Sequence, residues 1–244
     1  MNYCKYLFWN FLLNALGLSQ VLAVQQDETL SEGDMRLTPE QLKHLAGNSM
    51  TRNVMLWSRY YWPKSELVYS IVGLNSTDEI IVRKAMERIS DWTCVRFRRT
   101  YSLEEPQLAI QRSGSGCWTT VGYQGRRQEL NLSQRCMRIG TIQHELLHAL
   151  ALVHMQNDPR RDKFIRIDYQ NIIPGKEVNF DIYKANDVSD FGIGYDYNSV
   201  LHYGPTAFSK NGKPTIVQLH GGAQIGQRKG VSIKDMLKLR RIYC

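Results

Sequence analysis

Apolar and polar positions change period several times along this chain, and each change marks an element. From residue 66, Val68, Ser70 and Val72 alternate with Tyr69 and Ile71, which predicts a strand. "STDEIIVRKAMERISDW" places Ile81, Ala85, Ile89 and Trp92 near one helical turn apart. That spacing predicts a helix with one apolar face, capped by Ser76 or Thr77. "CVRFRRTY" and "QLAIQRS" read as strands, and "CWTTVGYQGRRQELNL" as strand, turn and strand. A second helix is predicted across "TIQHELLHALAL", with Thr141 as its candidate cap. Periodicity weakens after His154, apart from Asn171-Ile172-Ile173-Pro174 and a glycine-rich stretch. Ser232 followed by Asp235 has the spacing of a capping box and opens a last helix, "IKDMLKLRRIY". A strand-rich first half, a central helix and a loop-rich second half predict an α+β fold rather than regular βαβ alternation.

The first residues change the reading of the rest. "MNYCKYLFWNFLLNALGLSQVLA" has an early lysine, an apolar stretch and small residues at Val21 and Ala23. It predicts a secretory signal, residues 1–23, cut after Ala23. Asn10, Asn14, Ser19 and Gln20 make it a poor bilayer span, and no later segment approaches the ~18 apolar residues a span requires. The expected product is secreted, extracellular and without a membrane anchor. Residues 24–52 are polar, with "LTPEQLKHL" opening a short helix at Thr38-Pro39, and read as a short propeptide ending near Arg52-Asn53. The folded domain is then 53–244.

Secretion gives the cysteines a meaning. Cys4 leaves with the signal, and Cys94, Cys117, Cys136 and Cys244 suggest two disulfides, with three connectivities open. Asn75 and Asn131 begin N-x-S/T sequons and are glycosylation candidates, although Asn131 falls in a predicted strand. The net charge of +8 is not made by the first 52 residues. The basic residues are dispersed and accompany no nucleic-acid motif, so a solvated basic surface is expected and a nucleic-acid partner is not.

Three of the six histidines lie in "HELLHALALVH", His144 to His154. Four residues turn a helix through about 400°, so His144 and His148 share a face and reach one ion, with Glu145 beside them. Six further helical residues would carry His154 ~9 Å along the axis and roughly 240° around it. The chain must therefore break soon after His148 and fold back. Glycine usually supplies such a break; here Ala151 stands at the turn. A left-handed alanine costs ~1–2 kcal/mol, against on the order of 10 kcal/mol for a zinc ion held by several ligands. The metal term wins. Three neutral imidazoles leave a fourth zinc position for water, as catalysis requires, and Glu145 is the candidate general base.

The pattern resembles the metzincin signature H-E-x-x-H-x-x-G-x-x-H. Beyond it, "YDYNSVLHY", "IGQRKGVSIKDMLKLRRIYC" and "GCWTTVG" resemble segments of the astacin family of zinc endopeptidases, and together the matches span most of 53–244. The resemblance implies a two-lobed metzincin-type domain, with a strand-rich N-terminal lobe carrying a long active-site helix and a loop-rich C-terminal lobe ending in a helix. It implies one Zn2+ on His144, His148 and His154, Glu145 as catalytic base, and Tyr203 as the tyrosine that stabilises the oxyanion. It pairs Cys94 with Cys244 and Cys117 with Cys136, and it lays a protein or peptide substrate along an edge strand near Trp118–Gly122. "SEGDM" resembles the family's F-x-G-D motif, which makes Asp34 the residue that blocks zinc in a zymogen and implies an activating protease as partner.

The chain departs from the family at several points. Leu201 stands in the Met-turn methionine position, a swap expected to cost under ~1.5 kcal/mol. Met155 replaces the glutamate associated with anchoring the mature N-terminus, so that anchor is expected to be missing or different. "MQNDPRRDKFIRI" only partly matches the usual segment: Arg161 and Asp162 fit, but the stretch before them differs. These departures motivate the alternative reading, a secreted zinc-binding homologue that cleaves little and acts as a binding protein.

Overall fold

The alternating blocks assemble into a six-stranded mixed sheet in a computed structural model that describes residues 30–46, 58–183 and 188–244. The predicted signal and the Arg52-Asn53 cut lie outside the described residues. The strands are β1 (Met35–Arg36), β2 (Glu66–Val72), β3 (Arg96–Arg99), β4 (Leu108–Gln111), β5 (Cys117–Thr120) and β6 (Gln128–Leu132), in the order β1-β5-β6-β4-β2-β3. One βαβ unit is present: β2 leads through helix α2 (Ser76–Ser90) to β3, its parallel neighbour. β2 also runs parallel to β4, and β4 to β6. Only β5 is antiparallel to its neighbour β6. The fold is α+β, as expected, but most of its pairings are parallel.

Helix α2 is capped by Asn75, whose side chain accepts the Asp78 N–H at 2.8 Å, one residue before the expected cap. Its buried face is Val82, Ala85, Met86 and Ile89, which includes the predicted Ala85 and Ile89, while the predicted Ile81 is half-buried against the same core. Trp92 lies beyond the helix end and is 67% exposed. Helix α3 (Ile139–Ala149) carries the histidine pair and begins before Thr141, so that residue does not cap it. The reason is local. The chain enters α3 directly from a tight turn at Gln134–Cys136, which the Cys117–Cys136 disulfide ties to β5.

The core lies between the sheet and helices α2 and α3, with Leu67, Leu108, Ile110, Leu130, Ile142 and Leu146 fully buried. After α3 the chain builds a second lobe around Met155, Ile165, Phe180, Tyr195, Tyr203 and Ile216, with a two-stranded ladder of β7 (Ile165–Ile167) and β8 (Ile216–Gln218). The last helix, α4 (Ile233–Tyr243), returns to the first core through Met236, Leu239 and Tyr243. Its N-terminus has both halves of the predicted Ser232/Asp235 capping box. The Cys94–Cys244 disulfide fastens its far end to the turn after α2. Among the described residues, no helix is long and apolar enough to cross a membrane.

One modification expectation is corrected by this fold. Asn131 is 0% exposed in β6. Its carboxamide accepts the Ser113 N–H at 2.9 Å and donates to the carbonyls of Ser115 and Gly116 at 3.2 and 3.0 Å. A glycan has no room there, and removing those bonds would leave buried polar groups unpaired.

Candidate metal centre and active site

α3 is buried on all sides through its last turns, and this fixes His144, Glu145 and His148 at the floor between the lobes. The helix then stops. Leu150 leaves the helical region and Ala151 takes φ 71°, so the sequence's break falls on the expected residue despite its Cβ. His148 O accepts both Ala151 N, at 2.9 Å, and Gly122 N, at 3.0 Å, which ties the turn to the end of β5. The reversal returns His154 to the other two histidines.

The three Nε2 atoms are 3.1, 3.3 and 3.4 Å apart. Zinc–nitrogen bonds of about 2.0–2.1 Å in tetrahedral geometry put ligand atoms about 3.3–3.4 Å from one another. The separations fit one such ion. Each ring is also oriented through its other nitrogen: His144 Nδ1 meets Val200 O at 2.7 Å, His148 Nδ1 meets Leu152 O at 2.7 Å, and His154 Nδ1 meets Glu32 Oε2 at 2.6 Å. An acceptor on Nδ1 holds a neutral ring's proton there and leaves Nε2 as the nitrogen that would bind metal. Burial holds His144 down at about 4 and His148 well below the ordinary histidine value, which favours neutral ligands. Burial opposes charge on His154 too, but Asp34 and Glu32 outweigh it and hold that ring up at about 9.

The fourth corner of the cage is Asp34. Its Oδ2 lies 3.0 Å from His144 Nε2 and 3.3 Å from His154 Nε2, and its Oδ1 lies 4.0 Å from His148 Nε2. The four side chains form a group whose ligand atoms all fall within 4.8 Å. Asp34 Oδ1 and Glu145 Oε2 are buried without hydrogen-bond partners, two acceptors that a cation would satisfy directly or through its ligands. Burial first, and then the Asp34 charge, push the Glu145 carboxyl well up, with Arg228 opposing.

Tyr203 packs beside His154 with ring centroids 4.8 Å apart and the rings tilted by 55°, and its hydroxyl donates to the Glu32 carbonyl. Burial raises that hydroxyl well above the ordinary tyrosine value, which keeps it a donor. Leu201 is buried beneath the site, and its carbonyl accepts Met155 N at 3.1 Å. Asp235 joins the same turn to α4 by accepting from Ser199 Oγ at 2.6 Å and Val200 N at 3.0 Å. Met155 is buried, with Lys238 Nζ 3.0 Å from its sulfur.

The model of the astacin peptidase family matches residues 55–244. The chain belongs to the astacin family. Seminal metalloprotease 1 of Drosophila melanogaster is 38% identical over 205 residues, covering 79% of this chain and 81% of that protein. Human meprin A subunit beta is 37% identical over 218 residues, 88% of this chain but 29% of the relative's length. Among solved structures, high choriolytic enzyme 1, a hatching-enzyme zinc protease of Oryzias latipes, superposes with a TM-score of 0.71 at 33% identity. That match covers 78% of this chain and 98% of the other. Astacin membership brings the zinc metallopeptidase class with it, and the histidine cage suits that metal.

Three residues of the astacin site were not evident from sequence. Glu32 contacts His154 and Tyr183 from a segment more than a hundred residues away. Arg228 is half-buried behind the site and donates to His202 O at 3.2 Å. Tyr183 belongs to the loop-rich region, where no periodicity marks it. Only the Glu32-Gly33-Asp34 spelling offered a clue, and it pointed to Asp34 alone.

Proposed function

We propose that this chain is made as a secreted zymogen and, once residues 24–52 are removed, hydrolyses internal peptide bonds of proteins or peptides. The observation that carries this reading is the tetrahedral spacing of three anchored imidazoles beside a buried, unpartnered Glu145 oxygen. His144, His148 and His154 hold the metal. Zinc, when bound there, supplies a Lewis acid that polarises the scissile carbonyl and acidifies water. Glu145 takes the proton from the attacking water and delivers it to the leaving amine. Tyr203 turns its hydroxyl from the Glu32 carbonyl toward the developing oxyanion and donates to it. The edge of β5 receives the substrate backbone, as it receives β1 in this structure.

Asp34 is the block in this scheme. Its carboxylate sits against two of the three ligand nitrogens, and β1 holds it there through Thr119 N to Asp34 O at 2.9 Å and Val121 N to Arg36 O at 3.1 Å. Helix α1 (Pro39–Ala46) locks the segment, with Thr38 and Gln41 capping one another and Gln41 Nε2 donating to Val121 O at 3.0 Å. The exposed Asn75 is the remaining glycosylation candidate.

The test compares the uncut chain with its Asp34→Asn variant on a quenched peptide substrate. The variant should show chelator-sensitive cleavage at least about tenfold above the uncut wild type but below the processed enzyme, because β1 still lies on the β5 edge. Equal, negligible cleavage by both, beside an active processed chain, would remove Asp34 from the block. Nothing in the geometry favours the weakly cleaving binding protein. Ala151, Leu201 and Met155 are each accommodated without disturbing the cage.

A further inference from the structure

The segment that covers the cleft also marks what the cleft accepts. Met35 and Arg36 lie in register with Thr119 and Thr120 and, as strand residues do, point to opposite sides. Met35 is 0% exposed in an apolar pocket of Tyr60, Val121, Ala151, Val153, Tyr183 and Val188. Arg36 turns the other way. Its guanidinium lies 3.9 Å from the centroid of the Trp118 ring, and its Nη1 lies 2.9 Å from Glu129 Oε2. Trp118 is on β5 and Glu129 on β6, so both belong to the folded domain and stay when the segment leaves.

We propose that Trp118 and Glu129 form a specificity subsite of the peptidase for a lysine or arginine side chain, two residues along from the position over the metal. The subsite rests on the reading above, in which residues 24–52 leave the cleft. Three features build it. The indole face attracts a cation by its quadrupole. The carboxylate supplies a charge-assisted hydrogen bond in a half-buried setting. The register aligns Arg36, Thr120 and Glu129 as one row across three strands, because Thr119 faces Leu130 in the β5–β6 pairing. The pro-segment runs parallel to β5, yet a side chain entering between Trp118 and Glu129 meets the same groups whichever way its backbone runs. Arg127, 3.6 Å from Glu129 Oε1, is the competing cation; Arg36 uses the other carboxylate oxygen. Met35 beside it makes the preferred pattern an unbranched apolar residue followed or preceded by a basic one.

Two measurements on the processed, zinc-loaded chain test this. The first is binding of a synthetic peptide, residues 30–38, and its Arg36→norleucine analogue to wild type and to Glu129→Gln. The natural peptide should bind wild type about tenfold tighter than the analogue, and the difference should shrink to within about twofold in the variant. The second is kcat/KM on fluorogenic peptides carrying arginine, lysine, norleucine or glutamate at each position around the cut. One position should favour the basic residues about tenfold, and Glu129→Gln should collapse that ratio. A basic preference and peptide coupling untouched by Glu129→Gln would overturn the subsite. Coupling without cleavage of any peptide would keep the subsite and overturn the peptidase reading. Cleavage with neither coupling nor preference would do the reverse.

Discussion

Replacing Ala151 with glycine probes how the chain returns the third histidine to the metal. Ala151 holds φ 71°, in the left-handed region, and is 0% exposed among Val121, Val153 and Met35. Glycine relieves a left-handed strain of about 1–2 kcal/mol. Against that, it removes a buried methyl worth about 0.8 kcal/mol and adds unfolded-state freedom worth about 0.4–1 kcal/mol. The terms nearly cancel. Ala151→Gly should change stability by less than about 1 kcal/mol, or about 2–4 °C in Tm, and leave zinc content and cleavage rate at wild-type levels. Ala151→Val is the opposite perturbation: a β-branched residue at this φ is a severe outlier, and its extra methyls meet Gly122, whose added Cβ would itself lie 3.4 Å from Ala151 Cβ. Valine should cost about 3 kcal/mol or more and release zinc, because His154 depends on the turn. Thermal unfolding with zinc titration on the three proteins reads both effects. A glycine variant stabilised by more than about 3 kcal/mol, or a valine variant with normal zinc affinity, would refute the reasoning.

Further outcomes follow from packing and charge. A Cβ at Gly140 would lie 1.9 Å from the Arg228 carbonyl oxygen, a backbone atom that cannot swing aside, so Gly140→Ala should destabilise by about 3 kcal/mol or more, read by thermal melts. His202 is fully buried between Tyr195 Oη and Tyr203 O, and burial holds it down at about 4. Above about pH 6.5 it is neutral in both states. As pH falls toward about 4, only the unfolded chain takes the proton, so up to about 3 kcal/mol of stability is lost across that window. Urea unfolding of the chelated protein at about pH 7.5 and 4.5 should show a smaller pH loss in His202→Gln than in wild type; equal losses would refute it.

Much of the site was legible because its residues are close in sequence. The i, i+4 spacing placed His144 and His148, and the geometry of continuing the helix required the break that Ala151 makes. The Ser232/Asp235 cap was readable for the same reason. What failed depended on distant partners. Trp92 fits the helical period but falls past the helix end, although Ala85 and Ile89 of the same predicted stripe are buried. Asn131 matches a sequon yet spends its side chain on the loop at 113–116. Glu32 and Arg36 earn their roles only from contacts 122 and 93 residues away, which no local pattern encodes. The parallel pairing of the sheet was likewise invisible, since strand alternation does not report direction.

The most direct test of the central claim pairs zinc content with peptide cleavage by the processed chain and its Glu145→Ala variant. The account predicts one zinc per chain in both proteins, chelator-sensitive cleavage by the wild type, and a loss of at least about a hundredfold in the variant (~10²–10⁴ for a general base). Zinc bound by both proteins with no cleavage by either, or cleavage that survives the loss of Glu145, would contradict it.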